Sequence, residues 1–164
     1  MVQVAARFPQ YQFVIAGAPS FNAAYYDEYL GGQQLPIVFN ATYDLLTHAH
    51  AAIVASGTAT LETALFNVPQ VVVYKGGTVS IAIARMVVSI KYISLVNLIM
   101  DKLVVKELIQ EDCNQVAIGA ELDLLLNDTS HRGQMRSDYD ELDVRMGEPG
   151  ASGKTAGLIV GYVK

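Results

Sequence analysis

Residues Ala52 to Tyr74 read A-I-V-A-S-G-T-A-T-L-E-T-A-L-F-N-V-P-Q-V-V-V-Y, and this stretch decides the fold. A short apolar strand (Ala52 to Val54) runs into a Ser56-Gly57-Thr58 turn. A helix over Thr60 to Phe66 then carries Glu62, and a β-branched strand follows at Gln70 to Tyr74. Both strands are continuously apolar rather than alternating, the pattern of parallel strands covered on both faces and joined by right-handed helical crossovers. The expectation is an α/β fold: a Rossmann-like parallel sheet with helices on both faces.

The same alternation continues upstream. Val2 to Phe8 reads as the end of a helix, and Gln12 to Ile15 as a buried strand closed by Ala16-Gly17-Ala18-Pro19. Ser20 is placed to cap a helix over Phe21 to Leu30, with Gly31-Gly32 as its stop. A strand at Pro36 to Phe39 and a helix at Thr42 to His50 complete this half. Downstream the pattern turns helical: Val79 to Val88, Val104 to Gln110, Gln115 to Leu126, Ser130 to Arg145 and a tail helix at Ser152 to Val163, with Ser94 to Leu98 loop-like. A doubly wound domain ordinarily opens with a strand whose following loop binds phosphate, whereas this sequence opens within a helix. It is therefore expected to be the later part of a larger protein.

Composition narrows the function. The 164 residues suit one domain, and eleven Lys and Arg against sixteen Asp and Glu give a net charge of −5. Nucleic acid is not an expected partner, because basic residues such as Lys75, Arg85, Lys91 and Lys102 are scattered rather than striped. Arg85 and Lys91 interrupt the most apolar run, Val79 to Met100, which reads as a buried helix and an extended segment rather than a membrane span. Cys113 is the sole cysteine, so no internal disulfide or cysteine-based zinc site is available. His48, His50 and His131 do not have metal-ligand spacing, and neither a metal nor a cofactor is expected. Gly153-Lys154-Thr155 fails as a phosphate loop, since Glu148 stands where the first glycine belongs. No nucleophile elbow or Cys-His signature is present.

The candidate site follows from the opening stretch. Ligands of open α/β sheets bind outside the carboxyl ends of the strands. There Ser56-Gly57-Thr58 either presents N–H groups to an anion or simply caps the next helix. Glu62 lies four residues after Thr58 and six after Ser56, so neither hydroxyl forms a reciprocal capping box with it. Its carboxylate suits a vicinal diol such as a ribose, or an acid favoured by the helix dipole. Tyr74-Lys75-Gly76-Gly77 follows the next strand, with Lys75 either a phosphate partner or a solvated strand-end cation. Asn97, in apolar surroundings, needs partners from backbone or ligand.

Four blocks carry a specific resemblance: S-G-T-A-T-L-E at Ser56 to Glu62, P-Q-V-V-V-Y-K at Pro69 to Lys75, Y-I-S-L-V-N-L-I at Tyr92 to Ile99, and V-V-K-E-L-I-Q at Val104 to Gln110. In order and spacing they resemble the C-terminal half of lipid-A-disaccharide synthase, as does P-G-A-S before the last helix. The resemblance implies the C-terminal domain of a GT-B glycosyltransferase, whose cleft joins UDP-2,3-diacylglucosamine to 2,3-diacylglucosamine 1-phosphate and releases UDP. It implies that Ser56, Gly57 and Thr58 face the diphosphate, that Glu62 faces the ribose, and that Tyr74, Lys75 and Asn97 border the donor. It assigns no catalytic residue to these 164 positions, because the acid or base belongs to an N-terminal acceptor domain. That domain and a G-S-R-x-x-E-I phosphate loop would lie ahead of residue 1. Val96 stands where the family often has proline, and Lys75 where arginine is common. The resemblance further implies a cytoplasmic enzyme peripheral to the inner membrane, with a homodimer through the C-terminal helices as a plausible assembly. A half-domain of another UDP-N-acetylglucosamine enzyme or epimerase fits the last two blocks poorly. A response-regulator-like binding module would need acids at strand ends that carry Gly17, Asn40, Ser56 and Lys75 instead.

Overall fold

The computed structural model describes residues 1–76, 91–147 and 150–162. Its elements in chain order are α1 (Val2–Ala5), β1 (Ile15–Gly17), α2 (Ala23–Leu30), β2 (Ile37–Phe39), α3 (Thr42–His48), β3 (Ala52–Ala55), α4 (Thr58–Leu65) and β4 (Gln70–Tyr74). There follow α5 (Leu95–Met100), β5 (Lys106–Ile109), a 3₁₀ turn (Gln110–Asp112), α6 (Gln115–Asn127), α7 (Thr129–Met146) and α8 (Ala151–Tyr162). The fold is α/β and Rossmann-like, and every described strand pair is parallel.

The strands form two sheets. One pairs β1 with β2 in the register Ile15 to Ile37, and the other has the order β3-β4-β5. In the second, Val54 pairs with Val72, and Val72 in turn with Glu107. Val71, Val72 and Val73 are successive residues of the central strand, and all three are buried. Successive side chains of a strand point to opposite faces, so both faces of β4 are covered. On these faces α4 packs with α5, while α1 packs with α6. Arg7 and Gln115 tie the second pair by donating to the carbonyls of Gln115 and Gln3 respectively, each at 3.2 Å. The main apolar cluster joins β4, α6 and α7 through Val72, Leu125, Met135 and Leu142. Burial of such side chains contributes roughly 1.5–3 kcal/mol each before entropy is counted.

Local chemistry sets the helix ends. Asn22, Ser94, Asn114 and Asp128 each accept a backbone N–H with the side chain and so cap α2, α5, α6 and α7. Gly31 ends α2 in the left-handed region at φ 58, where a Cβ would be strained. Gly17 admits the ring of Phe39, with which a Cβ would collide.

Several expectations are corrected. Val104 to Gln110 is not a helix: Lys106–Ile109 is β5, because Val104 and Val105 give their N–H groups to Asn97 Oδ1 at 2.8 and 2.9 Å and the chain then pairs with β4. The loop-like Ser94 to Leu98 is instead the start of α5, capped by Ser94 and ended by Asp101 at φ 50. The first strand lies later than Gln12 to Ile15, since pairing begins where the Ile15 N–H meets the Pro36 carbonyl at 2.8 Å. Asn22 rather than Ser20 caps α2. The central helix begins at Thr58, two residues before the expected Thr60, and α3 stops at His48 rather than His50. The expected helix at Val79 to Val88 lies outside the described residues. Among the described residues, no helix is long and apolar enough to cross a membrane.

Candidate functional site

The turn between β3 and α4 stands at the carboxyl end of the three-stranded sheet. Ser56 stays in register with the sheet, its N–H donating to the Val73 carbonyl at 3.0 Å. Gly57 follows at φ 156, ψ −165, a conformation essentially restricted to glycine. Among the described residues, no atom beyond its chain neighbours lies within 4 Å of where its Cβ would be.

Among the described residues, no side chain caps α4. The Ser56 hydroxyl donates instead to the Ile93 carbonyl at 3.0 Å, and the Thr60 hydroxyl to the Gly57 carbonyl at 2.8 Å. Of the two sequence readings of this turn, the capping one therefore does not describe it. Gly57, Thr58 and Ala59 are exposed, and among the described residues the Thr58 and Ala59 N–H groups, at the positive end of the helix dipole, have no acceptor.

Ser56, Tyr74 and Lys75 line one cavity of about 350 Å³, together with Met1, Ala55, Val73 and Cys113. Tyr74 is 41% exposed at the end of β4. Lys75 is exposed and enters no ion pair among the described residues. Glu62 lies apart, in a second cavity of about 370 Å³ shared with Asn40, Ala41, Thr42, Tyr43 and Asp44. It is half-buried and, among the described residues, its carboxylate makes neither a hydrogen bond nor an ion pair. An acid that faces a cavity without an internal partner is available to a polar ligand.

Asn97 is fully buried, and its capacity is filled from within. Its amide donates to the Val105 carbonyl and to Glu107 Oε1, both at 2.8 Å, while Oδ1 accepts from Val104 and Val105. The structure thus brings Ser56, Gly57, Thr58, Tyr74 and Lys75 to one edge, leaves Glu62 one turn into α4 at a separate cavity, and ties Asn97 to that edge through the network of Glu107, Ser94 and Ile93. Sequence reasoning missed Glu107 and Ser94, which join Asn97 in that network, and Cys113, which lines the cavity wall. The sequence signal pointing to that network is the polar pair Ser94 and Asn97 set among Leu95, Val96, Leu98 and Ile99. Among the described residues no cluster of His, Cys, Asp and Glu is placed to hold a metal ion.

A family model described as lipid-A-disaccharide synthetase matches residues 2–156. The lipid-A-disaccharide synthase of Anaeromyxobacter dehalogenans (strain 2CP-C) is 35% identical over 162 residues, covering 97% of this chain and 42% of the relative. That of Syntrophus aciditrophicus (strain SB) is 39% identical over 128 residues, covering 78% of this chain and 33% of the relative. This chain spans less than half the length of these curated relatives. With a family match running from the first helix into the last, the chain belongs to the lipid-A-disaccharide synthase family.

Proposed function

We propose that this chain is the donor-binding half of a two-domain glycosyltransferase that joins UDP-2,3-diacylglucosamine to 2,3-diacylglucosamine 1-phosphate, releasing UDP. One observation carries the reading: α4 starts without a side-chain cap, at the rim of a cavity lined by Ser56, Tyr74 and Lys75. A diphosphate there would meet the Thr58 and Ala59 N–H groups and the Lys75 ammonium, a backbone-and-cation arrangement suited to anions. Glu62, one turn further along α4 and facing a second cavity, would accept the ribose hydroxyls. Asn97 would shape the site from beneath through its bonds to Val105 and Glu107.

Glycosyl transfer needs donor, acceptor and proton-accepting group held together. Family membership supports a second, N-terminal domain for the acceptor and the catalytic acid or base, so the 164 residues alone would not transfer sugar. The enzyme would work in the cytoplasm at the inner-membrane surface. Its α8, on which Leu158 and Tyr162 are 64% and 89% exposed, would join two copies.

Titrating the chain with UDP while following its amide resonances tests the site. Shifts centred on Gly57, Thr58 and Glu62 are expected. Their absence at saturating UDP would defeat the reading.

A further inference from the structure

Glu107, the second residue of β5, reaches back to the start of α5. Its Oε2 accepts the Ile93 N–H at 2.9 Å. Its Oε1 accepts the Ser94 N–H at 2.9 Å, the Ser94 hydroxyl at 2.7 Å and the Asn97 amide at 2.8 Å. Four donors satisfy this carboxylate without a cation, and charge-assisted bonds of this kind are stronger than neutral ones. They hold Ile93 and Ser94 in one place. The Ile93 carbonyl then takes the Ser56 hydroxyl at 3.0 Å. A continuous path therefore runs from β5, through the segment before α5, to the turn ahead of α4.

The N-cap of α4 is Gly57, which has no side chain, and Ser56 precedes it by one residue. A serine one residue ahead of an N-cap can still turn its oxygen onto N–H groups two or three residues on. Here those groups belong to Thr58 and Ala59. With its hydrogen held by the Ile93 carbonyl, the Ser56 side chain is drawn away from them.

We propose that Glu107 is a positioning residue for the donor site, acting through Ile93 to keep the Ser56 hydroxyl off the α4 N-terminus so that a phosphate ligand can take its N–H groups. The proposal rests on the donor-site reading above. Without Glu107 the Ile93 carbonyl is no longer fixed, and Ser56 turns inward to compete with the ligand. The defect is then one of self-capping, and removing the hydroxyl relieves it.

The test uses wild type, Glu107→Ala, Ser56→Ala and the double variant, each titrated with UDP and melted thermally. Glu107→Ala should bind UDP about tenfold more weakly, as expected for losing the organisation of a ligand contact. The double variant should return to within about twofold of Ser56→Ala alone, a coupling that independent sites do not show. Leu125→Ala, a buried substitution on α6, should lower the melting temperature without weakening binding by the folded protein. If Glu107→Ala is poorly folded, Glu107→Gln serves instead: it keeps an acceptor for Ser94 and sets an amide against the Ile93 N–H, and should fall between wild type and a tenfold loss.

Unchanged UDP affinity in a destabilised Glu107→Ala, or a double variant as weak as Glu107→Ala, overturns the proposal. If wild type itself fails to bind UDP, the donor reading falls, and the positioning role is decided by amide shifts alone. The Thr58 and Ala59 resonances should move in Glu107→Ala and return in the double variant, and unmoved resonances refute it.

Discussion

At its first residue β4 is closed. Gln70 is fully buried, its amide donating to the Thr60 carbonyl at 2.9 Å and to the Tyr139 hydroxyl at 3.3 Å, with Met135 Sδ over its N–H at 3.4 Å. At its last residue the same strand is open: Tyr74 and Lys75 are exposed beside a cavity and an uncapped helix. The five residues of β4 run from an end whose polar groups are mostly met by the protein's own atoms to one beside which the first N–H groups of α4 are left for something else. The contrast assigns stability to the closed end and recognition to the open end.

The largest effect should come from the closed end. Met135→Ala empties a fully packed position under Gln70 and should cost about 2–5 kcal/mol in urea unfolding, with UDP affinity of the folded protein unchanged. Equal losses of stability and affinity would break the contrast. Gly57→Ala comes next: it forces a Cβ into a glycine-only conformation, costing about 1–3 kcal/mol, and should abolish the UDP-dependent amide shifts.

Tyr139→Phe removes one acceptor from the Gln70 amide but leaves the Thr60 carbonyl. A loss of about 1 kcal/mol is expected, without effect on UDP. Burial pushes the Tyr139 phenol well above its ordinary range, so the hydroxyl stays protonated in this test. Lys75→Ala should shift stability by less than about 0.5 kcal/mol, as for most surface changes, while weakening UDP binding and flattening its salt dependence.

The smallest effect lies at His50, which stacks on Tyr11. Partial desolvation, followed by the charges of Arg132 and Arg136, lowers its pKa below 6.5. The unfolded chain therefore takes up the proton first. Stability from this source is complete above pH 6.5 and is lost as the pH falls toward the folded-state pKa. His50→Gln should show a shallower acid decline in denaturant midpoint than wild type.

Much of this contrast was legible in the sequence. The unbroken apolar residues of β3 and β4 named a parallel sheet, and the Ser-Gly-Thr turn named its open edge, because both signals are local. The parts that were not legible depend on long-range bonds. Lys106 and Glu107 have helical propensity, and only pairing with β4 and the reach to residues 13 and 14 positions earlier make them a strand. Asn97 likewise became interpretable only once Val104 and Val105 were seen to meet it. The closed end gave no sequence signal, since Gln70 and Tyr139 lie 69 residues apart.

The two sheets share the interior unequally. The principal apolar cluster draws on β4, β5 and the long helices, whereas no residue of β1 or β2 belongs to its buried set. Cooperative opening follows packing, so β1 with β2 forms a weaker foldon. Amide protons of Ile37 and Val38 should therefore exchange with deuterated solvent long before those of Val72 and Leu108, and a protease should find the segment from β1 to β2 while the three-stranded sheet still stands.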